Sequence, residues 1–139
     1  MVLHATEVHV NDVRQLWQDK GAPGHDVSFM LVDGVYRVLP EHEIMAVVKS
    51  CHVDAIPYQA EFMDCDKHSR LLWGLVPTKA DVNSVGIVFD FSGKHSYNVA
   101  VVYDASNELA IRYIEPQTSK EIKLASQPCY KLERGLVII

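Results

Sequence analysis

Cysteine is scarce and unpatterned. The chain has three, Cys51, Cys65 and Cys129, and no C-x-x-C pair. An odd count argues against a disulfide framework, and the spacing argues against a cysteine-built zinc site. Clustered lysine and arginine are missing too, and the net charge is −5, which speaks against a nucleic-acid backbone as partner. No apolar run exceeds about five residues, whereas a membrane-spanning helix needs roughly 20. The opening MVLHATEVHVNDVRQ has no basic segment leading into an apolar one. The expectation is therefore a cytoplasmic or viral protein that does not enter a membrane. Internal repeats and low-complexity stretches are also absent.

What is present suits a globular domain: 139 residues, 48% hydrophobic and 22% charged. One domain is expected over 1–139. NDVRQLWQDKG (11–21) reads as a short helix capped by Asn11 or Asp12 and stopped by Gly21. In 26–40, two apolar runs flank Asp33-Gly34, a two-residue hairpin signal. PEHEIMAVVKSCHV (40–53) reads as a helix with Cys51 on its core face. Residues 65–76 read as a third helix, ended by Pro77. Strands follow at 84–91, 94–104 and 108–117, with further strands expected in SKEIKLA and CYKLERGLVII. Helices ahead of strands predict an α+β fold.

The stretch YQAEFMDCDKHSRLLWGLV (58–76) places Cys65 where a helix begins. Helix N-termini favour a charged thiolate, the nucleophilic form of cysteine. A base is then needed, and His95, opening a strand, suits that role; His68, one helical turn past Cys65, is the local competitor. The loop Asp104–Glu108 suits a three-residue hairpin with Asn107 at the left-handed position. If Asp104 pairs with Glu108, Glu115 opposes Tyr97 and Gln117 opposes His95. All four then share one sheet face, with Glu115 diagonal to His95 and able to orient it. A slip of one residue would send Glu115 to the opposite face. Gln117 is the fallback orienter, and Tyr97 is placed to shape a substrate cleft.

The segments YQAEFMDCD, GKHSYNVAVV and IEPQT together resemble the protease domain of the fairy-ring mushroom agglutinin family, a lectin fused to a papain-like cysteine protease. They also resemble small stand-alone relatives of that domain in bacteria and phages. The likeness covers about 57–118; residues 1–53 form a helix-and-hairpin part without a recognised counterpart. It implies an α+β, papain-like fold in which the helix bearing the nucleophile packs against an antiparallel sheet. It also implies Cys65 as nucleophile, His95 as base, Glu115 as third member and an activity that depends on calcium. Gln59, six residues before Cys65, stands at the offset of the papain-like oxyanion glutamine. Carbohydrate binding is not implied, because no lectin domain accompanies the chain.

Asp64 and Asp66 flank the thiol and oppose its ionisation by like charge. They are read either as helix-start acids or as ligands of a bound Ca²⁺ that would reverse the effect. No organic cofactor is expected. The resulting reading is a papain-like cysteine hydrolase, a peptidase working through an acyl-enzyme on a peptide or protein substrate, with homo-oligomerisation left open. The alternative is a non-catalytic structural or interaction protein, such as a phage or virion component. A metal-dependent hydrolase built on Asp64, Asp66 and His68 is a third reading, without an H-E-x-x-H motif to support it.

Overall fold

The computed structural model describes residues 2–21 and 24–139. In chain order the elements are β1 (Thr6–His9), α1 (Val10–Lys20), β2 (Asp26–Met30), β3 (Val35–Pro40), α2 (Glu41–Ser50), α3 (Cys65–Ala80), β4 (Val85–Asp90), β5 (His95–Tyr103), β6 (Leu109–Glu115), β7 (Lys120–Ile122) and β8 (Arg134–Ile138). The strands form one mixed sheet with the path β1-β3-β5-β4-β8-β2, and β6 joins β5 to β7.

Strand β5 organises this sheet. From Ser96 to Val102 its residues are buried without interruption, the pattern of a strand covered on both faces. Its alternation feeds two cores. Tyr97, Val99 and Val101 enter a cluster with Val13 and Leu16 of α1 and with Tyr130 and Leu132. Ala100 and Val102 enter the other, with Ile44 and Val48 of α2 and Leu72 and Val76 of α3. Helices therefore cover both faces of the sheet.

The hairpin between β5 and β6 has the register expected from the sequence. Asn98 pairs with Ile114 and Tyr103 with Leu109. The Asp104 carboxylate accepts the Ser106 and Glu108 amides at 2.9 and 3.0 Å, and Asn107 takes a φ of 59°. Local turn chemistry was enough to set the register.

Elsewhere the expectations need correction. The Asp33-Gly34 segment does not close a hairpin. β2 pairs in parallel with β8, while β3 pairs antiparallel with β1 and parallel with β5. The apolar alternation was real, but the partners lie far away in sequence. Pro77 does not end α3; the helix runs on to Ala80, where the Asp81 amide still reaches Pro77 O. Proline sacrifices one amide, and on this outer turn the loss is tolerated. His9, rather than Asn11 or Asp12, caps α1 through its ring nitrogen. The expected papain-like α+β class with an antiparallel sheet is overturned by the sheet itself. Eight strands, two of the pairings parallel, dominate the molecule.

Leu72 is fully buried where α3 meets the sheet. Leu72→Ala is expected to cost about 2–5 kcal/mol in urea unfolding. The same truncation at the exposed Val2 should fall within about 0.5 kcal/mol.

Candidate functional site

Cys65 is the first residue of α3, and His95 is the first residue of β5. Two side-chain contacts hold these ends together. The Ser69 and Ser96 hydroxyls lie 2.6 Å apart in buried hydrogen-bond contact, one helical turn after Cys65 and one residue after His95. The Asn98 amide donates to Ser69 O at 2.8 Å and to Gly86 O at 3.0 Å. The start of α3 is thus bolted to the start of β5. An open cleft of about 340 Å³ results, lined by Cys65, Asp66, Phe89, Phe91, Lys94 and His95 among others.

Behind His95 sits Glu115, 4% exposed. His95 Nε2 meets Glu115 Oε2 at 2.6 Å. A carboxylate can only accept, so the neutral ring carries its proton on Nε2 and leaves Nδ1 as the basic nitrogen. Glu115 is itself held. Tyr130 donates its hydroxyl proton to Oε2 at 2.8 Å, and the Gln117 amide donates to Oε1 at 3.1 Å. Burial pushes the Glu115 carboxyl up, but the bonds from His95, Tyr130 and Gln117 outweigh it, and the net effect is a lowered pKa. Gln117 therefore orients Glu115 through its backbone.

A second buried carboxylate fixes the turn leading into His95. Asp90, 1% exposed, accepts from Ser92 Oγ, the Gly93 amide, Tyr97 Oη and the Leu132 amide, all between 2.7 and 2.9 Å. Tyr97 is fully buried; burial first, then the Asp90 charge, drives its hydroxyl pKa far up, so it stays a donor. Tyr97 lies beneath the cleft and does not line it. Tyr130 stands against both rings, with centroids 5.6 Å from His95 and 5.3 Å from Tyr97. One segment, 129–133, therefore braces both carboxylates. Sequence reading missed Tyr130, which lies in an irregular stretch; its one signal is a tyrosine beside Cys129 in a polar loop.

The remaining candidates are placed as follows. Gln59 is exposed in a tight loop closed by its own backbone, with the Met63 amide on Gln59 O at 2.7 Å, and it is not among the cleft-lining residues. His68 is fully buried under α3, its ring nitrogens 2.9 Å from Asp64 O and Ile56 O, so it is walled off from Cys65 chemistry. Asp64 stands at the N-cap position without a side-chain cap bond. Its carboxyl is held below the usual range, first by the neighbouring Asp66 side chain and then, against partial burial, by the Lys67 charge. Lys67 Nζ lies 3.6 Å from Asp64, and Arg70 meets Asp66 at 2.7 Å. Ca²⁺ takes about six to eight oxygens. Among the described residues no group of three or more metal-capable side chains gathers. These two aspartates, already facing cations, do not fit such an ion, and no step is routed through it.

No family model and no curated protein matches the chain. Solved structures share its fold, two of them as follows. One is the complex of PSL1a with E64, with a TM-score of 0.74, 19% identity and cover of 96% of this chain and 50% of that one. The other is the Polyporus squamosus lectin bound to the human-type influenza-binding epitope Neu5Acα2-6Galβ1-4GlcNAc, with a TM-score of 0.70, 19% identity and cover of 96% and 49%. The chain thus spans about half the length of these neighbours. The second of them is named a lectin, and this overturns the assignment to the protease domain of the fairy-ring mushroom agglutinin family. With it go the labels hydrolase, thiol or cysteine protease, and papain-like. A peptide or protein substrate has no support from them, and no phage or virion link appears. No described helix is long and apolar enough to cross a membrane.

Because the folded Glu115 pKa is lowered, its ionisation stabilises the fold fully above the ordinary glutamate value of about 4.3. That contribution is lost as pH falls through the lowered folded value. Glu115→Gln should flatten the fall of urea-unfolding stability below about pH 5. Tyr130→Phe, which removes one charge-assisted bond, should cost about 1.5–3 kcal/mol at neutral pH and bring the acid loss to a higher pH.

Proposed function

We propose that this chain is a ligand-binding domain whose binding site is the cleft at Cys65, and that Cys65 reacts there as a nucleophile. The observation that carries this reading is the His95–Glu115 bond of 2.6 Å at the edge of a cleft that Cys65 also lines. His95 Nδ1 takes the thiol proton, the sulfur bonds to an electrophilic carbon of the ligand, and the bond from that carbon to an adjoining heteroatom gives way, its electron pair going to the heteroatom, which can take the proton back from the imidazolium. Glu115 holds the ring and stabilises its protonated form. Free amides at the start of α3 face the negative charge that develops. E64, named with one structural neighbour, is the natural first ligand to try.

A second reading keeps binding and drops the reaction: a non-catalytic interaction domain that recognises carbohydrate. The lectin name and bound glycan of the second neighbour favour it. The glycan named with the second neighbour is its direct probe.

Intact-mass measurement after exposure to E64 or iodoacetamide separates the two. The nucleophile reading expects a single adduct mapped to Cys65, slowed by about 10²-fold or more in His95→Ala. Equal slow labelling of Cys51, Cys65 and Cys129, together with saturable calorimetric binding of Neu5Acα2-6Galβ1-4GlcNAc, would favour the carbohydrate reading instead.

A further inference from the structure

Strand β4 sets the wall of the cleft opposite the thiol. Its alternation places Val85, Ile87 and Phe89 on one side. That side faces α3: Val85 shares a core cluster with Leu72 and Val76, and Phe89 pairs with Ser96, whose hydroxyl meets Ser69 of α3. Val85 and Ile87 are sealed, but α3 begins only at Cys65, and beyond that point the apolar row emerges into the open. Phe89 is half-buried, and Phe91, two residues on, is 53% exposed. Phe91 is still fixed to the sheet, its amide donating to Arg134 O at 2.9 Å.

Three polar side chains of this wall are already engaged at least in part. Asp66 faces Arg70, Asp90 is saturated by four donors, and His95 is bonded to Glu115. The apolar surface offered to a ligand beside Cys65 is the pair of phenyl rings, with Lys94 and the Nδ1 edge of His95 beside them. Single exposed apolar residues are ordinary on protein surfaces. Here two phenylalanines, Phe89 in β4 and Phe91 just past its end, line one cleft with the one thiol at a helix start.

We infer that Phe89 and Phe91 form a specificity-determining wall, and that the ligand of the Cys65 site carries an apolar group, aromatic or branched aliphatic, flanking the carbon that the sulfur attacks. This rests on Cys65 being the nucleophile proposed above.

The test compares two electrophiles of equal intrinsic chemistry, iodoacetamide and N-benzyl iodoacetamide. Second-order rates at Cys65 are followed by intact mass with peptide mapping, and each is divided by the reagent's rate with free cysteine. The inference expects a normalised preference for the benzyl reagent of about two- to tenfold. That preference should fall to near unity in Phe91→Ser and persist in Val35→Ser, which changes an exposed apolar residue that does not line this cleft. Matching thermal unfolding of the variants confirms that they fold. Selective iodoacetamide labelling of Cys65 without a benzyl preference, or a preference unchanged in Phe91→Ser and Phe89→Ser, would overturn the apolar-ligand inference alone. Cys65 no more reactive than Cys51 and Cys129 would overturn the nucleophile and the inference together.

Discussion

The double burial of β5 is the constraint on which the rest of the molecule depends. A strand covered on both faces must satisfy every amide and carbonyl in the sheet and every side chain in one of two cores. It does so by pairing with β6 on one edge and with β4, then β3, on the other. Side chains that cannot join a core are tolerated only at its ends. His95 stands at such an end, half-buried, with Ser96 and Asn98 as the polar residues nearest it. Those two are not idle there: they tie the strand to α3 and so set Cys65 beside His95. The packing of the fold and the geometry of the cleft are one arrangement.

Two carboxylates then convert that arrangement into a rigid site. Each is buried and each is satisfied, Glu115 by a ring, a hydroxyl and an amide, Asp90 by two hydroxyls and two amides. A buried carboxylate left short of donors is costly, so such groups fix their neighbours firmly. Gly93 belongs to the same device. A side chain at that position would stand 2.2 Å from Cys129 O, so the turn before His95 can press against the segment that carries Tyr130 only because glycine is there.

How much of this the sequence disclosed depended on how local the signal was. The β5–β6 register was readable because Asp104 and Asn107 encode their own turn, and with it came the approach of Glu115 to His95. The start of α3 at Cys65 was readable from Asp64 and the amphipathic run behind it. Asp33-Gly34 misled, because a turn-prone pair says nothing about which strands it joins; β2 and β3 find partners elsewhere in the sheet. Gln59 was judged by its distance from Cys65 along the chain; it sits in the closed loop 59–63, outside the residues that line the cleft. Tyr130 and Ser69 were invisible because their roles exist only through contacts with residues 15 and 27 positions away. The fold-level likeness misdirected most, since short segments around a cysteine and a histidine do not define a sheet of mixed direction.

Strand β8 sits inside the sheet, between β4 and β2, and follows directly on the segment that carries Tyr130 and Leu132. During synthesis Cys65, His95 and Glu115 all emerge before either piece. Until the later segment threads into the gap, Asp90 lacks the Leu132 amide, Glu115 lacks the Tyr130 hydroxyl and the edge of β4 is open. The nascent chain therefore carries His95 and Glu115 without their brace, and the cleft comes into being as a product of completed folding.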